Sequence, residues 1–471
     1  MTVLLDTFQQ RSSHALHDAR LQASLRGLST GFVVRRADAV AAFADFEELR
    51  RQGQAIKDHA LEHLDRYLLE FEANVQRAGG KVHWARDAAE ARNIIRDLCR
   101  KANARTVTKG KSMVSEEIAL NEALLADGLE VIETDAGEYI VQLAGEAPSH
   151  IVMPTVHKTT EQISDLFFEH HKRYGFHKRE TDAAKLIAQV RTVMRDKYFA
   201  ADVGITGANF LIAETGSIVL VTNEGNGDLT STLARTHIVT VGIEKVVPTL
   251  DDASTLLRLL ARSALGMDIT SYTSFITGPK RPGDIDGPEA FHVVLIDNGR
   301  TKMLSGAYRS MLRCIRCGAC MNHCPVYMSV GGHSYGWVYP GPMGAVLTPM
   351  IDGHETAKDL PHACTLNGKC QQVCPVKIPL PDLLRRLRHE QWEAHFISKT
   401  ARFGISAWAL LAKRPRLYHA MTSLIMPVLA RCGRGKGAFK WLPLASGWTA
   451  SRDLPSPEGR TFQAQWKRRQ R

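Results

Sequence analysis

"CIRCGACMNHCP", Cys314 to Pro325, and "HACTLNGKCQQVCPVKIP", His362 to Pro379, decide how the chain is read. The first run has the pattern C-x2-C-x2-C-x3-C-P, from Cys314, Cys317, Cys320 and Cys324. Three thiolates at this spacing wrap one iron–sulfur cubane, while the x3 step and the proline turn the fourth cysteine away. In two-cluster ferredoxin folds that fourth cysteine ligates the other cluster. A structural zinc site is the competing reading, but zinc ribbons usually show two well-separated C-x2-C pairs. The second run repeats the pattern with Cys364, Cys370, Cys374 and Pro375, and has Asn367 where its second cysteine would fall.

Cross-ligation makes the two runs one unit. Cys314, Cys317, Cys320 and Cys374 are expected to hold cluster one as [4Fe–4S]. Cys324, Cys364 and Cys370 are expected to hold cluster two, with Asn367 at the fourth position. A neutral amide is a poor ligand for iron that prefers thiolate. Cluster two is therefore either [3Fe–4S], or [4Fe–4S] with a non-cysteine ligand at one iron. A distant residue is the third option, with Cys432 the candidate. Cys99, in "IIRDLC", sits in a helical pattern and reads as a small buried hydrophobe.

The rest of the chain frames this segment. It has 471 residues, 44% hydrophobic and 23% charged, enough for two or three domains of a globular protein. Seven of the nine cysteines lie within residues 314–374, which in a reducing compartment means metal or redox chemistry. No signal-peptide pattern opens the chain and no apolar run spans a bilayer, so a cytoplasmic protein is expected.

The net charge of +11 is localised. From Ala401 onward there are 14 Lys/Arg against 2 Asp/Glu, whereas the preceding residues hold 46 and 47. This argues against a nucleic-acid binder. It leaves a basic tail with apolar stretches, suited to an acidic partner subunit or to peripheral contact at the inner face of a membrane.

Periodicity predicts a helical region over 1–80 and an α/β domain over 81–303. A two-cluster ferredoxin-type domain follows over 304–385, then a basic helical extension over 386–471. "KVHWA", "RTVTKG" and "LEVIETD" read as strands alternating with helices, the pattern of parallel βαβ units. "HIVMP" reads as a further strand before the helix "TTEQISDLFFEHH". "VGITGANFLIAETGSIVLVTNEGNG" reads as two strands turning near Glu214–Gly216 and closed by a glycine-rich loop.

"TKGKS", Thr108 to Ser112, lacks the first glycine of a phosphate loop, since Arg105 stands there. Anion binding by Lys109 and Lys111 at this strand-to-helix turn is one expectation, and a solvated turn the other. Glu214 is a candidate substrate contact or a turn glutamate capping backbone donors. His323 beside Cys324, and Tyr335, Trp337 and Tyr339 between the runs, are placed to tune or shield the clusters.

"CIRCGACMNHCPVY", "GHSYGWVYPGPMGAVLTP" and "CQQVCPVKIPLPDLLRRLR" resemble the lactate-utilisation iron–sulfur protein B (LutB-type) family, and "GITGANFLIAETGSIVLVTNEGNG" resembles its LUD domain. The resemblance covers roughly residues 60–400. It implies an electron-transfer subunit of a complex that oxidises L-lactate to pyruvate, rather than a complete enzyme. The implied partners are a second LUD protein and a cysteine-rich CCG-domain protein. The implied α/β fold is similar to ribose-5-phosphate isomerase and CoA transferases, and a small-molecule module binding a 2-hydroxy acid, CoA or a sugar phosphate is the alternative. Family members generally carry a cysteine at one or both of the first two ligand positions of the second run. Here Cys364 is present and Asn367 stands at the other.

Overall fold

Three strands of unbroken burial organise the α/β part: Val203–Gly207, Thr236–Gly242 and, after its first residue, Ala290–Ile296. Strands covered on both faces belong in the middle of a parallel sheet. A computed structural model describes residues 7–433, 437–442, 449 and 452–470. In it these strands are central.

The strands of the domain are β1 (Lys81–Ala85), β2 (Thr106–Lys109), β3 (Glu130–Glu133), β4 (Val203–Gly207), β5 (Phe210–Ile212), β6 (Ser217–Thr222), β7 (Thr236–Gly242), β8 (Val246–Val247), β9 (Tyr272–Ile276) and β10 (Ala290–Ile296). Six form an all-parallel sheet in the order β1-β10-β7-β4-β2-β3. The other four form a smaller sheet, β8-β5-β6-β9, in which β5–β6 and β6–β9 are antiparallel. Helix Asn226–Leu233 lies so close on β4 that a Cβ at Gly204 would stand 1.9 Å from the Thr230 carbonyl oxygen.

The segment expected to give two strands gives three, because β4 joins the large sheet and β5 the small one. The turn at Glu214–Gly216 is where expected, with Gly216 at φ +69°. The glycine-rich stretch after β6 is a short loop over residues 223–225 that leads into the helix Asn226–Leu233. "HIVMP" forms no strand: residues 150–154 are irregular. Its apolar side chains serve a different surface, since Ile151 packs among the cysteine segment and His150 Nε2 is 3.0 Å from Asn322 Oδ1. The helix Ala136–Ala144, unmarked in the sequence reading, fills the space after β3.

Residues 8–77 form five helices, as the pattern predicted. Leu25, Leu28, Phe46, Leu49 and Leu61 from them share one apolar core with the cysteine segment. The first compact unit extends through Gln391. Helix Leu380–Glu393 is tied to the second cysteine run by Arg388, which donates to the carbonyls of Pro361 (2.8 Å) and Cys364 (2.5 Å).

The second unit, Trp392–Arg471, contains helices Lys399–Ala412, Pro415–Cys432 and Phe462–Arg469. None of the three buries a residue, and Phe403, Trp408 and Leu424 are 77%, 62% and 74% exposed. No helix among the described residues is long and apolar enough to cross a membrane.

Candidate iron–sulfur centres

The two cysteine runs are duplicates in backbone as well as in sequence. Each begins with a 3-10 turn, Arg309–Arg313 or Leu360–Ala363, that delivers the first cysteine. Two residues later each has a left-handed residue, Arg316 at φ +60° and Leu366 at φ +57°. Each then has a left-handed glycine, Gly318 at +75° and Gly368 at +81°, followed by a short helix carrying the third cysteine. Non-glycine residues pay for this conformation, so its recurrence marks a loop shaped to a purpose. Asn367 occupies the backbone place of Cys317. It is exposed, and its Oδ1 accepts the Lys369 N–H at 3.2 Å. The loop has kept a ligand-holding shape at the position where the thiol is missing.

The sulfurs fall into the two expected groups. Cys314, Cys317, Cys320 and Cys374 line one cavity with Ile151, Met343 and Ile378. Burial pushes the Cys317 thiol up to about 12, with the Cys374 and Cys314 sulfurs adding repulsion. Burial likewise raises Cys370 to about 12, and there the repelling neighbours are Cys364 and Cys324. Cys320 faces its own group and also Cys370, which places the two groups side by side. Thiols gathered and buried in this way are poor anions until a cation joins them.

Tetrahedral zinc would draw its thiolates to about 3.8 Å from one another. Among the described residues, no three cysteine sulfurs fall within 4.8 Å of one another. The wider spacing suits a cluster, whose cysteines sit on separate irons.

Backbone N–H groups already point at several sulfurs. Tyr327 donates to Cys324 Sγ (3.5 Å), Leu366 to Cys364 Sγ (3.3 Å) and Ile378 to Cys374 Sγ (3.3 Å). Such bonds, with burial, set cluster potentials. Tyr335 is buried and faces Cys324, as its position between the runs suggested. His323 makes a different contact, its Nδ1 lying 2.9 Å from the Ala319 carbonyl oxygen.

Charge is the feature that sequence reasoning missed. Lys57, Lys245 and Arg316 are buried or nearly so, and all three lie within electrostatic reach of the Cys314 sulfur. Lys245 Nζ donates to the Cys314 carbonyl (3.2 Å), and Lys57 Nζ to that of Glu244 (2.5 Å). Arg316 lies over the Tyr339 ring, 4.6 Å from its centroid. On the other side Arg36 donates to the Val373 carbonyl (2.9 Å), and Arg50 makes two bonds to the carbonyl of Cys374. Burial drives Lys57 down to about 7, an environment that disfavours its charge unless an anion stands nearby.

A buried ion network joins this centre to the α/β domain at the carboxyl ends of its strands. Arg300, after β10, forks onto both Glu117 oxygens at 2.9 Å and reaches Glu244, after β7, at 2.6 Å. The Tyr339 hydroxyl, from between the cysteine runs, donates to Glu117 at 2.6 Å. Lys57, Lys245, Arg300 and Arg316 are four cations against two carboxylates, Glu117 and Glu244. This excess of buried positive charge suits a cluster held by thiolates, which is anionic.

The remaining candidates are committed to other partners. Lys109 is fully buried, pairing with Glu133 (2.7 Å) and Glu116 (2.9 Å). Lys111 donates to Asp135 (3.1 Å) and the Val152 carbonyl (3.0 Å). Glu214 Oε1 accepts the Leu250 N–H (2.6 Å), capping the helix Leu250–Leu265. Cys99 is buried and its thiol is pushed up to about 12 by that burial. Cys432 ends an exposed helix of the second unit.

Together these features define an iron–sulfur protein: a ferredoxin-type pair of cluster sites built onto an α/β domain. Comparison with known proteins agrees. Residues 68–296 match the LUD domain, 310–378 a 4Fe-4S dicluster domain, and 387–471 the C-terminal domain of lactate utilisation protein B. Lactate utilization protein B of Lysinibacillus sphaericus is 44% identical over 464 residues, 98% of this chain and 97% of the relative. That of Bacillus subtilis is 42% identical over 98% of this chain and 96% of the relative. The uncharacterized electron transport protein YkgF of Escherichia coli is 40% identical over 98% and 97%. The chain belongs to the lactate utilization protein B family.

Proposed function

We propose that this chain is the iron–sulfur electron-transfer subunit of an L-lactate-oxidising complex, passing electrons toward a respiratory acceptor. The observation that carries this is the pair of duplicated cysteine loops, compensated by buried cations, in a chain whose relatives are named for lactate utilisation and electron transport. We assign Cys314, Cys317, Cys320 and Cys374 to a [4Fe–4S] centre. Cys324, Cys364 and Cys370 go to the second centre, which is [3Fe–4S], or [4Fe–4S] with a non-cysteine ligand beside Asn367. When bound, the clusters supply reversible one-electron transfer.

The protein's own part is to fix the sulfurs, exclude water and balance charge. Tyr335, Tyr339 and Met343 wall the centres, each under 5% exposed. The N–H donors to sulfur and the buried cations favour the electron-rich state. The exposed, basic helices of Trp392–Arg471 would dock an acidic partner subunit, either the second LUD protein or the CCG-domain protein. We place the α/β part with ribose-5-phosphate isomerase and the CoA transferases, on the strength of its parallel sheet with a small second sheet.

Anaerobic purification, iron and sulfide counts and EPR test the assignment. A near-isotropic S = 1/2 signal in the oxidised protein identifies [3Fe–4S] at the second centre. About eight irons without it identify two cubanes. Lactate-dependent bleaching of the clusters should require the partner subunits. Substantial lactate oxidation by this chain alone would overturn the placement of the chemistry elsewhere.

A further inference from the structure

Glu146, His157 and His333 each bring one ligand atom to within 4.8 Å of the others. They come from three places: the end of helix Ala136–Ala144, the loop after "HIVMP", and the linker between the cysteine runs. The imidazole rings of His157 and His333 are 4.5 Å apart, edge to face.

Hydrogen bonding fixes how each imidazole is used. His333 Nε2 lies 2.7 Å from the Ala147 carbonyl, which can only accept, so Nε2 carries the proton and Nδ1 is bare. The Ser149 hydroxyl donates to the Pro154 carbonyl at 3.1 Å. With that proton committed, His157 Nδ1 carries its own and donates to Ser149 Oγ at 2.7 Å. His157 Nε2 faces Glu146 Oε2 at 2.7 Å, a hydrogen-bond distance at which the two atoms share a proton that a bound metal ion would displace. A ligating histidine whose other N–H is held by a carbonyl or hydroxyl is the usual arrangement around a metal.

We propose that Glu146, His157 and His333 form a site for a divalent transition-metal ion, separate from the iron–sulfur centres. Two imidazoles and one carboxylate suit a borderline ion such as zinc and leave coordination positions open. The Glu146 side chain is 36% exposed, which gives the ion a way in. Lys158 Nζ holds the other Glu146 oxygen at 2.7 Å and orients the carboxylate. The site also staples the α/β domain to the linker between the clusters. Ser149, which supports His157, accepts the Tyr327 hydroxyl on its carbonyl at 2.9 Å.

The test uses the full chain with its clusters reconstituted and its iron and sulfide counted, so that the cysteines are occupied. Zn(II) is titrated against a chromophoric chelator. We expect one zinc per chain, and zinc K-edge absorption with only nitrogen and oxygen neighbours at about 2.0–2.2 Å. His157→Ala and His333→Ala should each weaken binding about 100-fold or more, and Ser149→Ala about 10-fold, with the iron count unchanged. Because the absorption spectrum is read on the wild type, the outcome survives a variant that folds poorly. Sulfur neighbours at about 2.3 Å, unchanged affinity in both histidine variants, or no zinc uptake would overturn the proposal. The last result would leave His157 and Glu146 as hydrogen-bond partners only.

Discussion

Arg300→Met probes the seam between the cluster segment and the α/β domain. The Arg300 side chain is 1% exposed and serves two carboxylates, Glu117 and Glu244, which are 0% and 3% exposed. Removing one partner of a buried ion pair costs about 3–5 kcal/mol, because the other charge is stranded. Here each carboxylate keeps some support. Glu117 retains the Tyr339 hydroxyl at 2.6 Å and the Asn298 amide at 2.7 Å, and Glu244 retains Arg316 at 3.7 Å. The expected loss is therefore near the lower end, about 3 kcal/mol. It should depend on pH. In the wild type, Arg300 outweighs burial and holds Glu117 below its ordinary value. In the variant, burial is opposed only by the Asn298 and Tyr339 hydrogen bonds and raises Glu117 above it, so the folded variant binds a proton that the unfolded chain releases near pH 4.5. Variant stability then falls as pH rises, and the gap to the wild type is larger at pH 8 than at pH 6. The assay is anaerobic urea unfolding followed by far-UV CD and by cluster absorption. Coincident transitions are required before midpoints become free energies. Arg300→Met combined with Glu117→Gln should cost less than the two single changes together, by about 1–2 kcal/mol. A loss under about 0.5 kcal/mol for Arg300→Met, or strict additivity in the double variant, would refute the reasoning.

Asn367→Cys should complete the second set of thiolates without strain, since residue 367 is flanked by the same left-handed positions as Cys317. Loss of any S = 1/2 [3Fe–4S] signal, with a gain to about eight irons, is the expected result. Glu138→Gln addresses the α/β interior. Burial, then the Glu133 and Glu116 carboxylates, raise Glu138 well above the usual range, and burial raises Glu133 to about 7. The folded state thus keeps protons that the unfolded chain releases near pH 4.5, so wild-type stability declines as pH rises from there through 7. The variant should decline less between pH 5 and pH 8 in thermal unfolding. Gly216→Ala should destabilise by about 2 kcal/mol or more, because φ is +69° and the added Cβ would stand 2.5 Å from the Val75 nitrogen. If the exposed helices dock a partner subunit as proposed, Phe403→Ser with Trp408→Ser should leave the iron count unchanged and lower the rate of lactate-dependent cluster reduction through that partner.

The cluster site was legible because its chemistry is local. Thiolate spacing and the proline after the fourth cysteine are written in consecutive residues, and the structure gathers the same two groups of sulfurs. The parallel sheet was legible for a similar reason, in β1, β2 and β3 between helices. Asp87, which accepts the Glu90 N–H at 2.9 Å, starts its helix where expected. What sequence could not supply was anything set by distant contacts. "HIVMP" looks like a strand by composition, yet its apolar residues are drawn to the cysteine segment. "TKGKS" looks like an anion loop, yet Lys109 is claimed by Glu116 and Glu133. Lys57 lies in an amphipathic helix among many exposed cations. Nothing in its neighbours tells that it is 1% exposed beside Glu244.

The surplus of buried positive charge links folding to the metal centre. Isolated ions inside a protein are costly, and proteins avoid them unless paired. Lys57 and Lys245, driven by burial to about 7 and about 8, are only partly served by Glu244. Glu244 itself is held to about 2, mainly by Arg300 working against its burial, so its charge is already in use. The two lysines therefore call for a further anion, and the Cys314 group is where one forms. It follows that the cysteine segment and the α/β domain are stabilised together when the thiolates are deprotonated and bridged by iron. Removing the iron should loosen more than the cysteine loops. Hydrogen exchange on the cluster-free protein should quicken at Lys57, at residues 243–247 after β7 and at Arg300, while β2 and β3, which lie at the far edge of the sheet, keep their protection. Exchange that quickens only within residues 314–374 would show that the surplus charge is balanced by something other than the clusters.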